Sequence, residues 1–179
     1  MVNVNGKRII STLLDALAAI GVEEVVVVTG YLKEEFELLK RDYPYVNLVE
    51  NPLYETTNNI SSACCALAAN PFSFQNAYVF ESDLLLNNPG ILKKYQYESC
   101  YWGVKVDETS DWCFDTKDGY ISDLHQGGRD CYHMFGISYW TAEDGKKIAN
   151  DVPEVFEDAV HHQRFWDDVP CVLKKKKYR

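Results

Sequence analysis

The chain has 179 residues, 46% of them hydrophobic, and a formal net charge of −9. That length supports one globular domain over 1–179 with a substantial core, and leaves no room for a second full domain. The acidic balance argues against nucleic acid and anionic membrane surfaces, which need Lys and Arg to neutralise phosphate. A small cationic or metal-bridged substrate fits it better.

No run approaches the ~20 apolar residues that span a bilayer, and no signal core follows Met1, so the expectation is a cytoplasmic protein. The six cysteines include no C-x-x-C pair and read as small, mostly buried apolar residues. The four histidines are scattered, and the adjacent His161 and His162 suit a surface role.

In chain order, Ile9, Ile10, Leu13, Leu14, Leu17 and Ala18 recur at helical spacing with no strand ahead of them, and Gly21 ends the run. The unbroken apolar run Val25–Val28 then predicts a strand covered on both faces, closed by Thr29-Gly30. A helix near Lys33 to Arg41, the strand "VNLVEN", a helix from about Ile60, the strand "AYVFES" and a helix near Pro89 to Tyr95 continue the alternation. This rhythm predicts an α/β fold with a Rossmann-like, mostly parallel mixed sheet flanked by helices.

After Ser99 the pattern turns to strands: "CYWGVKV", a piece near Trp112 to Phe114, the Asp118-Gly119 turn, "YISDL" and "CYHMFGISYW". They predict a small antiparallel insertion. Two helices follow, near Ala142 to Asn150 and near Pro153 to His162, and "KKKKYR" reads as solvated or as a strand.

Ligands of open α/β sheets bind at the carboxyl ends of the strands. Glu81 and Asp83 leave one such end in "YVFESDLLL" and suit Mg²⁺, although a turn or cap aspartate would look the same. Asn58, Asn59, Ser61 and Ser62 crowd a strand-to-helix junction; they could cap the helix or read a nucleobase edge. Trp112, Phe165 and Trp166 lie beside Asp111, Asp167 and Asp168 in "SDWCF" and "QRFWDD", which suits either core packing or capture of a quaternary ammonium.

The segments "VNGKRII", "VVVVTGY", "VENPLYETTNNISSA", "YVFESDLLL", "DWCF", "HMFGISYW" and "FWDD" together resemble bacterial CTP:phosphocholine cytidylyltransferases, over nearly the whole chain. The wider family includes sugar-phosphate nucleotidyltransferases. The resemblance implies a nucleotide-diphospho-sugar-transferase-like fold and Mg²⁺-dependent attack of a substrate phosphate on the α-phosphorus of CTP. It implies that Asp83 and Asp167 are the paired metal-binding, catalytic aspartates. Asn59 and Ser62 would line the cytidine pocket with Asn58 and Glu81 near it. Trp112, Phe165 and Trp166, with Asp111, would hold the choline of phosphocholine or a similar phospho-amino-alcohol or phosphonate. Sugar-phosphate transfer and a choline-binding remnant are the alternatives.

The same resemblance implies a buried first strand and a Gly-rich, basic phosphate loop ahead of "VNGK", and a further strand and helix after "KKKKYR". Those elements do not occur in this sequence. The expectations that follow are impaired turnover and a first strand missing from the middle of the sheet. The sheet edges so exposed would either close up or pair with another copy of the chain.

Overall fold

The computed structural model describes residues 1–178. The chain opens on a short hairpin, with β1 (Asn3–Val4) antiparallel to β2 (Lys7–Arg8). Asn5 and Gly6 both take positive φ, the conformation that a two-residue hairpin turn demands. This corrects the expectation of a helix with no strand ahead of it.

Helix α1 (Ile9–Ala19) buries Ile10, Leu13, Leu14 and Leu17, and Gly21 at φ +81° follows its end as predicted. β3 (Val25–Thr29) pairs in parallel with β4 (Val46–Glu50) from Val25 opposite Val46 to Thr29 opposite Glu50. Between them lie a 3₁₀ turn (Lys33–Phe36) and α2 (Glu37–Asp42). α3 (Ile60–Ala69) leads to β5 (Ala77–Phe80). The helix expected near Pro89 to Tyr95 is only a 3₁₀ turn, Pro89–Ile91: the Asn88 side chain caps Gly90, and Leu92 is already extended.

β6 (Cys100–Lys117) and β7 (Tyr120–Trp140) form one long hairpin around Asp118-Gly119. Both strands bend, so Cys113 and Phe114 pair with His125 and Leu124 on one side and with His133 and Tyr132 on the other. The four short pieces read from the sequence are the four arms of this folded-over hairpin. β5 joins it antiparallel, Ala77 opposite Trp140. Among the described strands, parallel pairing is therefore confined to β3–β4.

β3 and β5 are not hydrogen-bonded to each other. A cleft of about 840 Å³ separates their facing edges, with side chains of α1 and α3 completing its walls. The expected interruption of the sheet is thus present, and it stays open.

The two helices expected after Trp140 are one, α4 (Ala142–Phe156), with Pro153 inside it. Thr141 caps its start, and buried Ile148, Val152 and Val155 hold the helix through the proline. A separate 3₁₀ turn, Ala159–His161, follows. The basic tail forms no strand; Lys176 and Lys177 are exposed as expected, yet Lys174, Lys177 and Tyr178 all bond to buried Asp151, at 3.2, 2.7 and 2.9 Å. Among the described residues no helix is long and apolar enough to cross a membrane.

Candidate active site

The cleft opens where β5 ends. Its lining there includes Asn59, Ser62, Glu81, Ser82, Asp83, Tyr101, Gly136 and Trp166. This is the strand-end location that an α/β sheet offers to ligands.

The backbone N–H of Glu81 donates to the Gly136 carbonyl at 2.9 Å. Gly136 has φ +64°, which favours glycine, and a Cβ there would lie 2.5 Å from the Glu81 carboxyl carbon and push that side chain aside. Desolvation raises the Glu81 carboxyl above the usual carboxylate range, and the charges of Asp83, Asp167 and Asp111 raise it further. Four carboxylates thus act on one region. Asp83 lies in an exposed turn with no helix directly after it, which removes the cap reading.

Asp167, in a turn near the other end of the chain, lies close enough for its charge to act on Glu81. Its carboxyl is also raised, chiefly by burial; the hydroxyl of Tyr101, donating to Oδ2 at 2.8 Å, opposes that rise. Asp168 is buried and pairs with Arg164 at 3.5 Å.

The asparagine pair works differently from the cap reading. Asn59 stands at the start of α3, but its side chain makes no cap; Oδ1 accepts the backbone N–H of Trp166 at 2.8 Å. Asn58 donates its backbone N–H to the His162 carbonyl at 2.8 Å and its Nδ2 to the Gln163 carbonyl at 3.4 Å. Together they fasten the "TNNISS" junction to "QRFWDD". Ser62 lines the cleft, and its hydroxyl accepts from Nδ2 of Asn51 at 3.0 Å. Asn51 was not among the predicted site residues, yet it is only 3% exposed and braces both Ser61 and Ser62. Its sequence signal is a polar residue ending a buried strand just before Pro52.

Trp112 and Phe165 do meet, edge to face at 5.6 Å between ring centroids. Asp111 stays beside Trp112, accepting its backbone N–H at 2.7 Å, and lies 3.9 Å from His133 Nε2. Trp166 does not join this corner. It is buried between Phe74 and Trp140 in the main core, at centroid distances of 5.2 and 5.8 Å. The hairpin also brings Asp115, Asp123 and His125 within 4.8 Å of one another, a grouping that their sequence spacing does not announce.

No protein-family model matches the chain. It is 40% identical over 171 residues to the 2-aminoethylphosphonate cytidylyltransferase of Lancefieldella rimae, covering 94% of this chain and 69% of that protein. It is 28% identical over 171 residues to the choline-phosphate cytidylyltransferase of Streptococcus pneumoniae, covering 94% and 72% respectively. The solved structure of the CTP:phosphocholine cytidylyltransferase from Streptococcus pneumoniae superposes with a TM-score of 0.86 at 27% identity, over 98% of this chain and 75% of that one.

Proposed function

Because the chain belongs to the bacterial CTP:phosphocholine-type cytidylyltransferases, we propose that the cleft at the end of β5 transfers CMP from CTP to a small acceptor with an ammonium group at one end and a phosphate or phosphonate at the other. One observation carries this reading: Glu81 and Asp83 line the cleft and Asp167 lies close enough for its charge to add to the rise that burial causes in the Glu81 carboxyl, while the same "FWDD" segment sets Phe165 against Trp112.

The donor set suits a divalent, oxygen-preferring cation such as Mg²⁺, which is commonly held by one or two carboxylates plus substrate phosphates. Among the described residues Glu81, Asp83 and Asp167 form no ion pair with Lys or Arg, and burial, with the charges of Asp83 and Asp167 adding to it, raises the Glu81 carboxyl. Asp83 and Asp167 would hold the ion. Bound there, it supplies charge neutralisation at the phosphate oxygens. In the reaction an acceptor oxygen bonds to the α-phosphorus of CTP, the bond to the β-phosphate breaks, and pyrophosphate leaves. The chain's share is positioning. Asn59 and Ser62 offer polar groups toward the nucleoside, and Trp112, Phe165 and Asp111 offer ring faces and a negative charge to the ammonium.

The two relatives carry the names of a quaternary and a primary ammonium acceptor, so the test compares both classes with a sugar. Pyrophosphate release from Mg²⁺-CTP is measured with phosphocholine, 2-aminoethylphosphonate and glucose 1-phosphate. Loss of a desolvated cation–π contact, about 2 kcal/mol, predicts kcat/KM roughly 10- to 100-fold lower for the sugar phosphate. A sugar phosphate that turns over best sinks the reading. Choline binding by calorimetry with no turnover of any acceptor favours a binding remnant.

We further propose self-association through the unpaired edges that β3 and β5 present to the cleft. Sedimentation equilibrium should give twice the chain mass at micromolar concentration. A monomer throughout that range overturns it.

A further inference from the structure

Asp167 lies in a turn between a 3₁₀ turn and the irregular helical segment Val169–Leu173, where the backbone N–H groups of Asp167 and Asp168 also act on its carboxylate. Its neighbour Trp166 is fixed by the core and by the bond from its N–H to Asn59. Among the described residues the one side chain hydrogen-bonded to the Asp167 carboxylate is Tyr101 on β6, through Oη at 2.8 Å.

We propose that Tyr101 is a positioning residue of this site: its hydroxyl fixes the orientation of the Asp167 carboxylate for the divalent cation and ties that carboxylate to the β6–β7 arm that carries Trp112. The proposal rests on the reading that Asp167 holds the metal.

Two features support it. The ring of Tyr101 packs edge-on against Phe114 at 6.4 Å, and Phe114 stacks on Tyr132 at 5.4 Å with an interplanar angle of 11°, so the hydroxyl is held from behind by the arm. A carboxylate oxygen accepts more than one bond, so this contact leaves lone pairs for a cation. Partners that orient ligating carboxylates in this way are commonly worth 10- to 100-fold in metal affinity.

The test is Tyr101→Phe, which removes one oxygen and keeps the ring. Free Mn²⁺ is read by electron paramagnetic resonance as the protein is titrated, without nucleotide. Mn²⁺ binding should weaken roughly 10- to 100-fold. The Mg²⁺ concentration for half-maximal rate should rise by a similar factor, while kcat at saturating metal changes far less. A thermal melt without metal locates the unfolding transition of Tyr101→Phe, and the titration is run below it on folded protein. Mn²⁺ binding equal to the parent's overturns the proposal, and so does a fall in kcat with metal affinity unchanged. Asp167→Asn separates the two readings. If it binds Mn²⁺ like the parent, the assignment of Asp167 to the metal fails; if it loses Mn²⁺ while Tyr101→Phe does not, only the role of Tyr101 fails.

Discussion

Asp167→Asn should lower CTP-dependent transfer by about 10²- to 10³-fold while making the metal-free protein more stable. The loss is sized by analogy with deleting one preorganised electrostatic contact to a developing charge, roughly 3–4 kcal/mol of barrier. The gain has a separate cause. Burial and neighbouring charge raise the Asp167 carboxyl, so the folded state disfavours the ionised form relative to the unfolded chain. For such a raised acid the sign is fixed: stability falls as pH climbs through the unfolded and then the folded pKa, and near neutrality the ionised group is a net cost. Asparagine removes that charge and keeps an oxygen able to accept from Tyr101. Each kcal/mol relieved is worth roughly 2–4 °C in melting temperature for a chain of this size. Assays at saturating Mg²⁺ and melts in chelator read the two halves separately. Near-parental turnover sinks the catalytic assignment, and a lower melting temperature sinks the electrostatic account.

The opposed signs suit a functional site. Carboxylates that repel one another are kept where a cation is to be bound, and the fold carries the cost. Gly136 makes the same point in the backbone: a left-handed glycine is placed so that Glu81 can lie across it.

What the sequence disclosed and what it hid divide along one physical line. Periodicity is local, and it located α1, β3, β4, α3 and β5 through patterns such as Val25–Val28. It missed the opening hairpin because two-residue strands carry no alternation, although Asn5-Gly6 names the turn. It split α4 at Pro153, where burial of Ile148, Val152 and Val155 outweighs the missing donor. The bonds that assemble the site are long-range: Tyr101 to Asp167 spans 66 residues and Asn59 to Trp166 spans 107. No local spacing encodes such pairs. The resemblance assigned both aromatic residues of "FWDD" to the ammonium, Trp166 less firmly than Phe165, and the structure sets Phe165 against Trp112 but packs Trp166 in the core.

That distinction gives the second large effect. Trp166→Ala removes a 9%-exposed indole packed between Phe74 and Trp140, and large-to-small changes at such positions cost about 3–5 kcal/mol. Against the 5–15 kcal/mol that holds a typical domain, this is a major loss, and the melting temperature should drop by roughly 6–20 °C. Trp112→Ala removes a half-buried indole that meets Phe165 edge to face in the proposed acceptor corner. Its melting temperature should move by only a few degrees, while KM for an ammonium acceptor rises about 10- to 30-fold and KM for CTP stays near the parental value. A conventional reading of "FWDD" as a continuous aromatic cage predicts similar acceptor defects in both variants. The core position of Trp166 predicts that they separate, one in stability and the other in acceptor binding. If Trp166→Ala melts like the parent and loses only acceptor affinity, the indole faces the ligand and its placement in the core is overturned.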